Sequence, residues 1–213
     1  MYTIAVVDYG MGNLHSVAKA LERVAVAQRV LVTYDADELL RADKVVFPGV
    51  GGIGYCMSEL RRLGLDDAVR EVANTKPLLG ICVGMQSMLD HSEENDGHDA
   101  LGLFHGRVTR FADGETDPQT GERLKVPQMG WNKVAIKTQH PMWEGIQDGS
   151  RFYFVHSYYV SPDDQSIVQA TAEYPHEYCC ALGKDNVFAT QFHPEKSADV
   201  GLQLLSNFCA WNP

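Results

Sequence analysis

Short apolar runs alternate along the chain with stretches of mixed polarity, and in the first half the alternation has a regular order. Runs at 3–8, 44–48 and 77–81 are rich in Val, Ile, Leu and Phe and too short for helices, so they predict buried strands. Stretches at 13–25, within 54–72 and at 85–91 carry apolar residues at helical spacing. Strand and helix in turn predict a parallel sheet with helices on both faces. The second half is richer in strand patterns, at 106–111, 131–137, 152–160, 167–172, 178–181 and 187–192, before an amphipathic helix near 198–210. The expected fold is α/β: a three-layer sandwich with a largely parallel central sheet flanked by helices and an antiparallel extension in the second half. Residues 112–123 are all turn chemistry and polarity and predict an exposed loop or hairpin tip. No Gly/Ser/Pro-rich linker divides the 213 residues, so a single domain over 1–213 is expected.

Composition narrows the partners. A net charge of −10 speaks against nucleic-acid binding, which wants a basic face. No apolar run is long enough to span a bilayer, and the N-terminus enters its first strand without the basic segment of a signal peptide. Five cysteines, among them the adjacent Cys179 and Cys180, do not make a disulfide framework, so a reducing cytoplasm is expected. His91, His98 and His105 recur every seven residues, but the intervals cross glycine and acidic loop residues, which argues against a metal-binding helix face. Neither metal nor cofactor is expected.

The sharpest chemical signal is Gly80-Ile-Cys82-Val-Gly84, where an apolar strand stops and helix-forming residues follow. A side chain at the apex of a strand-to-helix turn needs a strained backbone and neighbours without a Cβ to clash, which describes a nucleophile elbow with cysteine as nucleophile. The following helix would bring its dipole and unpaired amides to the sulfur and favour thiolate. A buried core cysteine is the alternative, although a core strand has no need of glycine on both sides.

Downstream, Gln191-Phe-His193-Pro-Glu195-Lys196 offers a base and its orienter. In extended chain a period of two puts His193 and Glu195 on one face, so that the carboxylate can hold the imidazole; a surface turn is the plainer reading of the motif alone. With Cys82 they form the nucleophile, base and third group of acyl transfer. Electrophile stabilisation is expected from the amide of Val83 and from Val50 or Gly51 in Pro48-Gly49-Val50-Gly51-Gly52. Gly49, Gly51 and Gly54 also spell a dinucleotide fingerprint, with Glu71 about where a ribose-binding acid would stand, but that fingerprint opens a first βαβ unit and this one follows the second predicted strand.

With these residues in place, the chain resembles the class I, triad-type glutamine amidotransferases over nearly its whole length. Asp8-Tyr-Gly-Met-Gly-Asn13, Pro48-Gly-Val-Gly51, Gly80-Ile-Cys-Val-Gly-Met-Gln86 and Gln191-Phe-His-Pro-Glu-Lys196 carry the likeness. Val126-Pro-Gln-Met-Gly-Trp-Asn132 with Phe154-Val-His-Ser-Tyr-Tyr159 is similar to one branch, the glutaminase subunits of imidazole glycerol phosphate synthases. The resemblance implies glutamine hydrolysis through a thioester at Cys82, with His193 as base and then acid and Glu195 as its orienter. It implies that Gly49, Gln86, Glu94, Ser157 and Tyr158 hold the substrate, although Gln86 also reads as a polar helix residue and Glu94 as part of a solvated loop. It implies a (β/α)₈-barrel cyclase as the partner that receives the ammonia, with Met11, Asn13, Trp131, Asn132 and Lys196 at or near the interface; a core tryptophan is the alternative for Trp131. The competing readings are the glutaminase of another amidotransferase, a stand-alone γ-glutamyl cysteine hydrolase, or an inactive scaffold of the same fold. Because hydrolysis without an acceptor wastes glutamine, the isolated chain is expected to be a poor glutaminase, with the Gly49-Val50 peptide turned so that the Val50 amide does not serve the oxyanion.

Overall fold

A computed structural model of the chain describes every residue except Met1, Met11, Gly12, Pro118 and Gln119. The first half runs β1 (Tyr2–Val7), α1 (Leu14–Val24), β2 (Gln28–Thr33), α2 (Ala36–Arg41), β3 (Lys44–Gly49), α3 (Ile53–Leu63), α4 (Leu65–Thr75), β4 (Leu78–Cys82) and α5 (Val83–Gln86). β3 and β4 are buried along their whole lengths, as the unbroken apolar runs require of strands covered on both faces. The strands lie in the order β2-β1-β3-β4, all parallel. Right-handed crossovers then send α1 to one face and α2, α3 and α4 to the other. The packing agrees: α1 lies against the C-terminal helix, whereas α4 packs on both α2 and α3.

The second half contains β5 (His91–Ser92), β6 (His98–Asp99), β7 (Gly106–Arg110), β8 (Gln128–Lys133), β9 (Ala135–Ile136), β10 (Arg151–His156), β11 (Tyr158–Pro162), β12 (Val168–Glu173), β13 (Glu177–Lys184), β14 (Val187–Thr190) and α6 (Ala198–Ala210). β14 inserts parallel beside β4, and from it the sheet continues antiparallel through β13 and β11 to β7. This is the expected antiparallel extension. β8 and β10 form a separate antiparallel pair. Residues 112–123 close on an isolated bridge between Thr116 and Arg123, in keeping with a hairpin tip. One hydrophobic core runs from Ile4 to Trp211 through both halves. Among the described residues no helix is long and apolar enough to cross a membrane.

Several details differ from the sequence reading. The runs at 131–137 and 152–160 are each two strands, β8 with β9 and β10 with β11, because the chain leaves the β8–β10 pair for the main sheet between them. β2 and α2 were not expected, so the strand before Pro48-Gly-Val-Gly51 is the third. The helix within 54–72 is two helices, broken where Gly64 takes φ +67°, a conformation open to glycine. The helix at 85–91 is instead the four-residue α5, beginning at Val83 and leaving little macrodipole to act on the Cys82 sulfur. The last strand stops at Thr190 rather than running to 192.

Parallel strands bring their carboxyl ends to one edge of the sheet, where ligands of such folds bind. At that edge Gly49 ends β3 in register with Cys82, which ends β4. Thr190 of β14 is paired with Ile81, so Gln191 falls beside Cys82.

Candidate active site

Cys82 has φ +55° and ψ −110°, a backbone that costs a non-glycine residue about 1–3 kcal/mol and persists only where its surroundings enforce it. The flanking glycines are what enforce it. A Cβ on Gly84 would lie 1.9 Å from the Phe47 carbonyl oxygen, and one on Gly80 would lie 2.7 Å from Met88 Cε and 3.0 Å from Ala189 Cβ. The elbow is therefore pressed against β3 on one side and β14 on the other. Its thiol lies 3.9 Å from the Val155 carbonyl oxygen and 3.7 Å from Gln191 Nε2.

His193 and Glu195 meet as the motif suggested, by a different local geometry. Pro194–Lys196 is a 3₁₀ turn, so it is the turn, not extended chain, that brings Glu195 Oε1 to 2.8 Å from His193 Nδ1. Both side chains are 1% exposed. The His193 backbone is fixed by its N–H on the Tyr153 carbonyl at 2.9 Å and by the Ser197 hydroxyl on its own carbonyl at 2.6 Å. With Nδ1 taken by the carboxylate, Nε2 is the atom free for chemistry; it is buried and has no oxygen or nitrogen partner among the described residues. Burial opposes charge on this ring, but Cys82, through its charge and hydrogen bonding, and then Glu195 outweigh it and raise the imidazole to about 10. Replacing Cys82 with alanine removes the two leading charge-favouring contributions, leaving burial against Glu195 alone. The His193 ring, followed by NMR, is thus expected to titrate at lower pH in Cys82→Ala than in the wild-type chain; an unmoved titration would mean the two groups are not coupled.

Cys82 and His193 open into a cavity of about 640 Å³, which Val50, Gly51 and Val83 also line. The three residues expected to serve an oxyanion are therefore together with the nucleophile, and Gly51 has φ +88° in the turn that carries the loop past it. Gln86, Glu94, Ser157 and Tyr158 line the same cavity. Gly49 does not. It is buried under Tyr9 and Val83, where a Cβ would sit 2.5 Å from the tyrosine hydroxyl, so its glycine is required by packing at the strand end. Gly54 lies against the His98 ring inside α3, which spends that part of the dinucleotide fingerprint on protein contacts.

Glu94 has a structural task that the sequence did not disclose: its Oε2 accepts the Ile53 N–H at 2.7 Å, capping the start of α3 from 41 residues downstream. That contact holds the carboxylate at the cavity wall. Gln86 donates through Nε2 to the Tyr158 carbonyl at 3.0 Å and to Gln191 Oε1 at 3.1 Å, so both of its amide hydrogens are committed. His156, also at the cavity, is pushed down to about 4 by burial and so is neutral at pH 7; its Nδ1 lies 2.7 Å from the same Tyr158 oxygen. Gln191 was not singled out by the sequence, since its place beside Cys82 follows only from the pairing of β14 with β4.

Of the residues matched to an interface, Met11 lies outside the described residues. Asn13 precedes α1 and lines the cavity, as does the exposed Lys196, whose Nζ sits 5.9 Å from the centroid of the Tyr153 ring. Trp131 is 48% exposed and packs edge-on against Tyr153, so it is not a core tryptophan. Asn132 is apart from the cavity and donates to the Glu173 carbonyl at 2.9 Å.

A model of the family described as glutamine amidotransferase class-I matches residues 5–211. Over 212 residues the chain is 57% identical to imidazole glycerol phosphate synthase subunit HisH of Pseudomonas putida, covering 100% of this chain and 99% of that protein. It is likewise 57% identical over 212 residues to subunit HisH 1 of Pseudomonas aeruginosa, covering 100% and 98%. Among solved structures, PurLQS from Thermotoga maritima superposes with a TM-score of 0.71 over 97% of this chain and 97% of that one; at 16% identity this is a likeness of fold. With the family match running almost from end to end and the relatives matching at full length, the chain belongs to the class-I glutamine amidotransferases.

Proposed function

We propose that this chain, acting as one domain over 1–213 in the cytoplasm, is the glutaminase subunit of imidazole glycerol phosphate synthase in histidine biosynthesis. The observation that carries the catalytic part is the strained Cys82 opening into one cavity with the buried His193–Glu195 pair. The Cys82 thiolate attacks the γ-carboxamide carbon of glutamine, and the amides of Val83 and of Val50 or Gly51 receive the negative charge that develops on oxygen. His193 gives its Nε2 proton to the leaving nitrogen, ammonia departs, and a γ-glutamyl thioester remains on Cys82. His193 then takes a proton from water as the water attacks, and glutamate leaves. Glu195 keeps the imidazole in the tautomer with its Nδ1 proton toward the carboxylate throughout.

Gln86 has no amide hydrogen to spare, so it serves the substrate through its carbonyl oxygen, as an acceptor. Glu94 offers the negative charge that suits the substrate ammonium, and Ser157 and Tyr158 complete the wall. Ammonia released into water is protonated and lost as a nucleophile, which calls for a partner that takes it directly. The full-length likeness to proteins named as subunits of this synthase supports a (β/α)₈-barrel cyclase in that role, in a heterodimer whose joint reaction is a lyase-type ring closure. The exposed Trp131 and Met129 of β8 with the nearby Lys196 are aromatic, sulfur-bearing and cationic side chains of the kind that anchor such contacts.

Mixing the chain with the barrel cyclase tests this reading. The two are expected to co-elute, and glutamine is expected to drive formation of imidazole glycerol phosphate. Failure to form a complex, together with full glutamine hydrolysis by the chain alone, would favour a stand-alone hydrolase.

A further inference from the structure

The Tyr158 backbone carbonyl can only accept hydrogen bonds, and it lies 3.0 Å from one end of the Gln86 amide. That end must be the NH₂ group. The same nitrogen reaches Gln191 at 3.1 Å, so the Gln191 atom it meets must be the oxygen, and the Gln191 NH₂ is left facing the Cys82 sulfur at 3.7 Å. A side-chain amide could in principle be turned either way. Here a main-chain oxygen fixes both amides in turn. Gln191 is 0% exposed and does not line the cavity, so its own contacts are shielded; Gln86, 4% exposed, is the member of the chain that meets the cavity.

We propose that Gln191 is a positioning residue for the nucleophile: its Nε2–H is a donor to Cys82 Sγ, oriented by the Tyr158–Gln86 contact and polarised by the Gln86 N–H on its own Oε1, which holds the sulfur as thiolate in line with the elbow. The inference rests on the reading of Cys82 as the attacking group. It also takes the place of the helix dipole, since α5 is four residues long. The opposing contact is the Val155 carbonyl at 3.9 Å, an acceptor that suits the protonated thiol. Without Gln191, that carbonyl is the backbone acceptor left beside the sulfur.

Charged and titratable groups also reach the sulfur from the packed elements: His193 with Glu195 behind it, Tyr9 at the end of β1, and, across the cavity, Glu94, Lys196, His156 and Tyr158. They are common to wild type and variant, so a comparison isolates Gln191. The variant is Gln191→Met, which keeps the length and removes the donor. The measurement is the rate of Cys82 carboxamidomethylation by iodoacetamide, in which the sulfur displaces iodide, followed by mass spectrometry from low to high pH.

Loss of one hydrogen bond to a charged group is expected to displace the acid limb of the profile upward by about one pH unit. Because a more basic thiolate is also more nucleophilic, with a Brønsted slope of roughly 0.4–0.5, the profiles should cross. The variant would react roughly threefold slower than wild type below the limb and roughly threefold faster on the plateau. A merely structural role would lower or raise the whole profile without moving its limb, and that result overturns the proposal. If Gln191→Met does not fold, the wild-type chain decides the matter by NMR. The Gln191 side-chain NH₂ signals should move with pH in step with alkylation, and should be still in Cys82→Ala; signals indifferent to Cys82 would overturn the proposal. Protection of Cys82 by glutamine is read in the same assay, so absence of protection would count against the glutaminase reading while leaving the Gln191 result intact.

Discussion

Replacing Cys82 with alanine is expected to lower glutamine-dependent synthesis by the reconstituted pair by on the order of 10⁴-fold or more, while synthesis from added ammonium salt continues. Removing the sulfur removes the thioester, and nothing else at the elbow can form one: Ile81 and Val83 are aliphatic and Gly80 and Gly84 carry no side chain. On the proposed reading the partner takes ammonia from either source, so synthesis from the salt bypasses Cys82. His193→Ala should be of similar severity, because Nε2 serves both the leaving nitrogen and the incoming water. Glu195→Ala should be roughly 10²-fold less damaging, since a group that orients the base is the least costly member of a triad to lose. Assays of the three variants with glutamine and with ammonium salt separate these roles. Near wild-type hydrolysis in Cys82→Ala would refute the assignment of the nucleophile.

The second large effect is expected at Val50. Its loop follows the end of β3, where Gly49 is in register with Cys82, and Val50 and Gly51 both line the cavity with Val83. Val50→Pro removes one amide hydrogen and adds no polar group. One oxyanion donor is worth roughly 10²–10³ in rate, or about 2.7–4 kcal/mol. The variant should therefore stay near the basal rate of the isolated chain even with the cyclase and its ligand saturating, while its affinity for the cyclase is unchanged. The wild-type pair, in contrast, should rise by about that factor over the isolated chain as the Val50 amide turns toward the oxyanion. Steady-state glutamate release measures both. Full activation of Val50→Pro, or high activity of the isolated wild-type chain, would set this form of control aside.

What could be read from sequence depended on burial. β3 and β4, buried throughout, stand out as unbroken apolar runs, and the glycines around Cys82 announce the elbow because each faces a backbone or packed side chain. β2 escapes such a reading. It lies at the sheet edge with mixed exposure and follows a Val26 that is 87% exposed, so its pattern carries no clean period. α2 has six residues, fewer than two turns, too short for helical spacing to show. Gly64 carried a signal that was there to be used, a glycine between two amphipathic segments. Gln191 and the capping role of Glu94 carried none, because each depends on which strand or helix end lies beside it in space. Gly49 illustrates the converse, a motif glycine matched to ligand binding whose conspicuous constraint is the Tyr9 hydroxyl.

The covalent state of Cys82 during turnover tests directly whether it carries the acyl group. The chain, activated by the cyclase and its ligand, would be mixed with glutamine, quenched in acid within the first turnover and digested for mass spectrometry. The peptide containing Cys82 is expected to carry one glutamyl acyl group, which is absent in Cys82→Ala and decays as glutamate appears. Release of glutamate at the full rate with Cys82 unmodified at every quench time, or the acyl group on Cys56 or another cysteine, would contradict this.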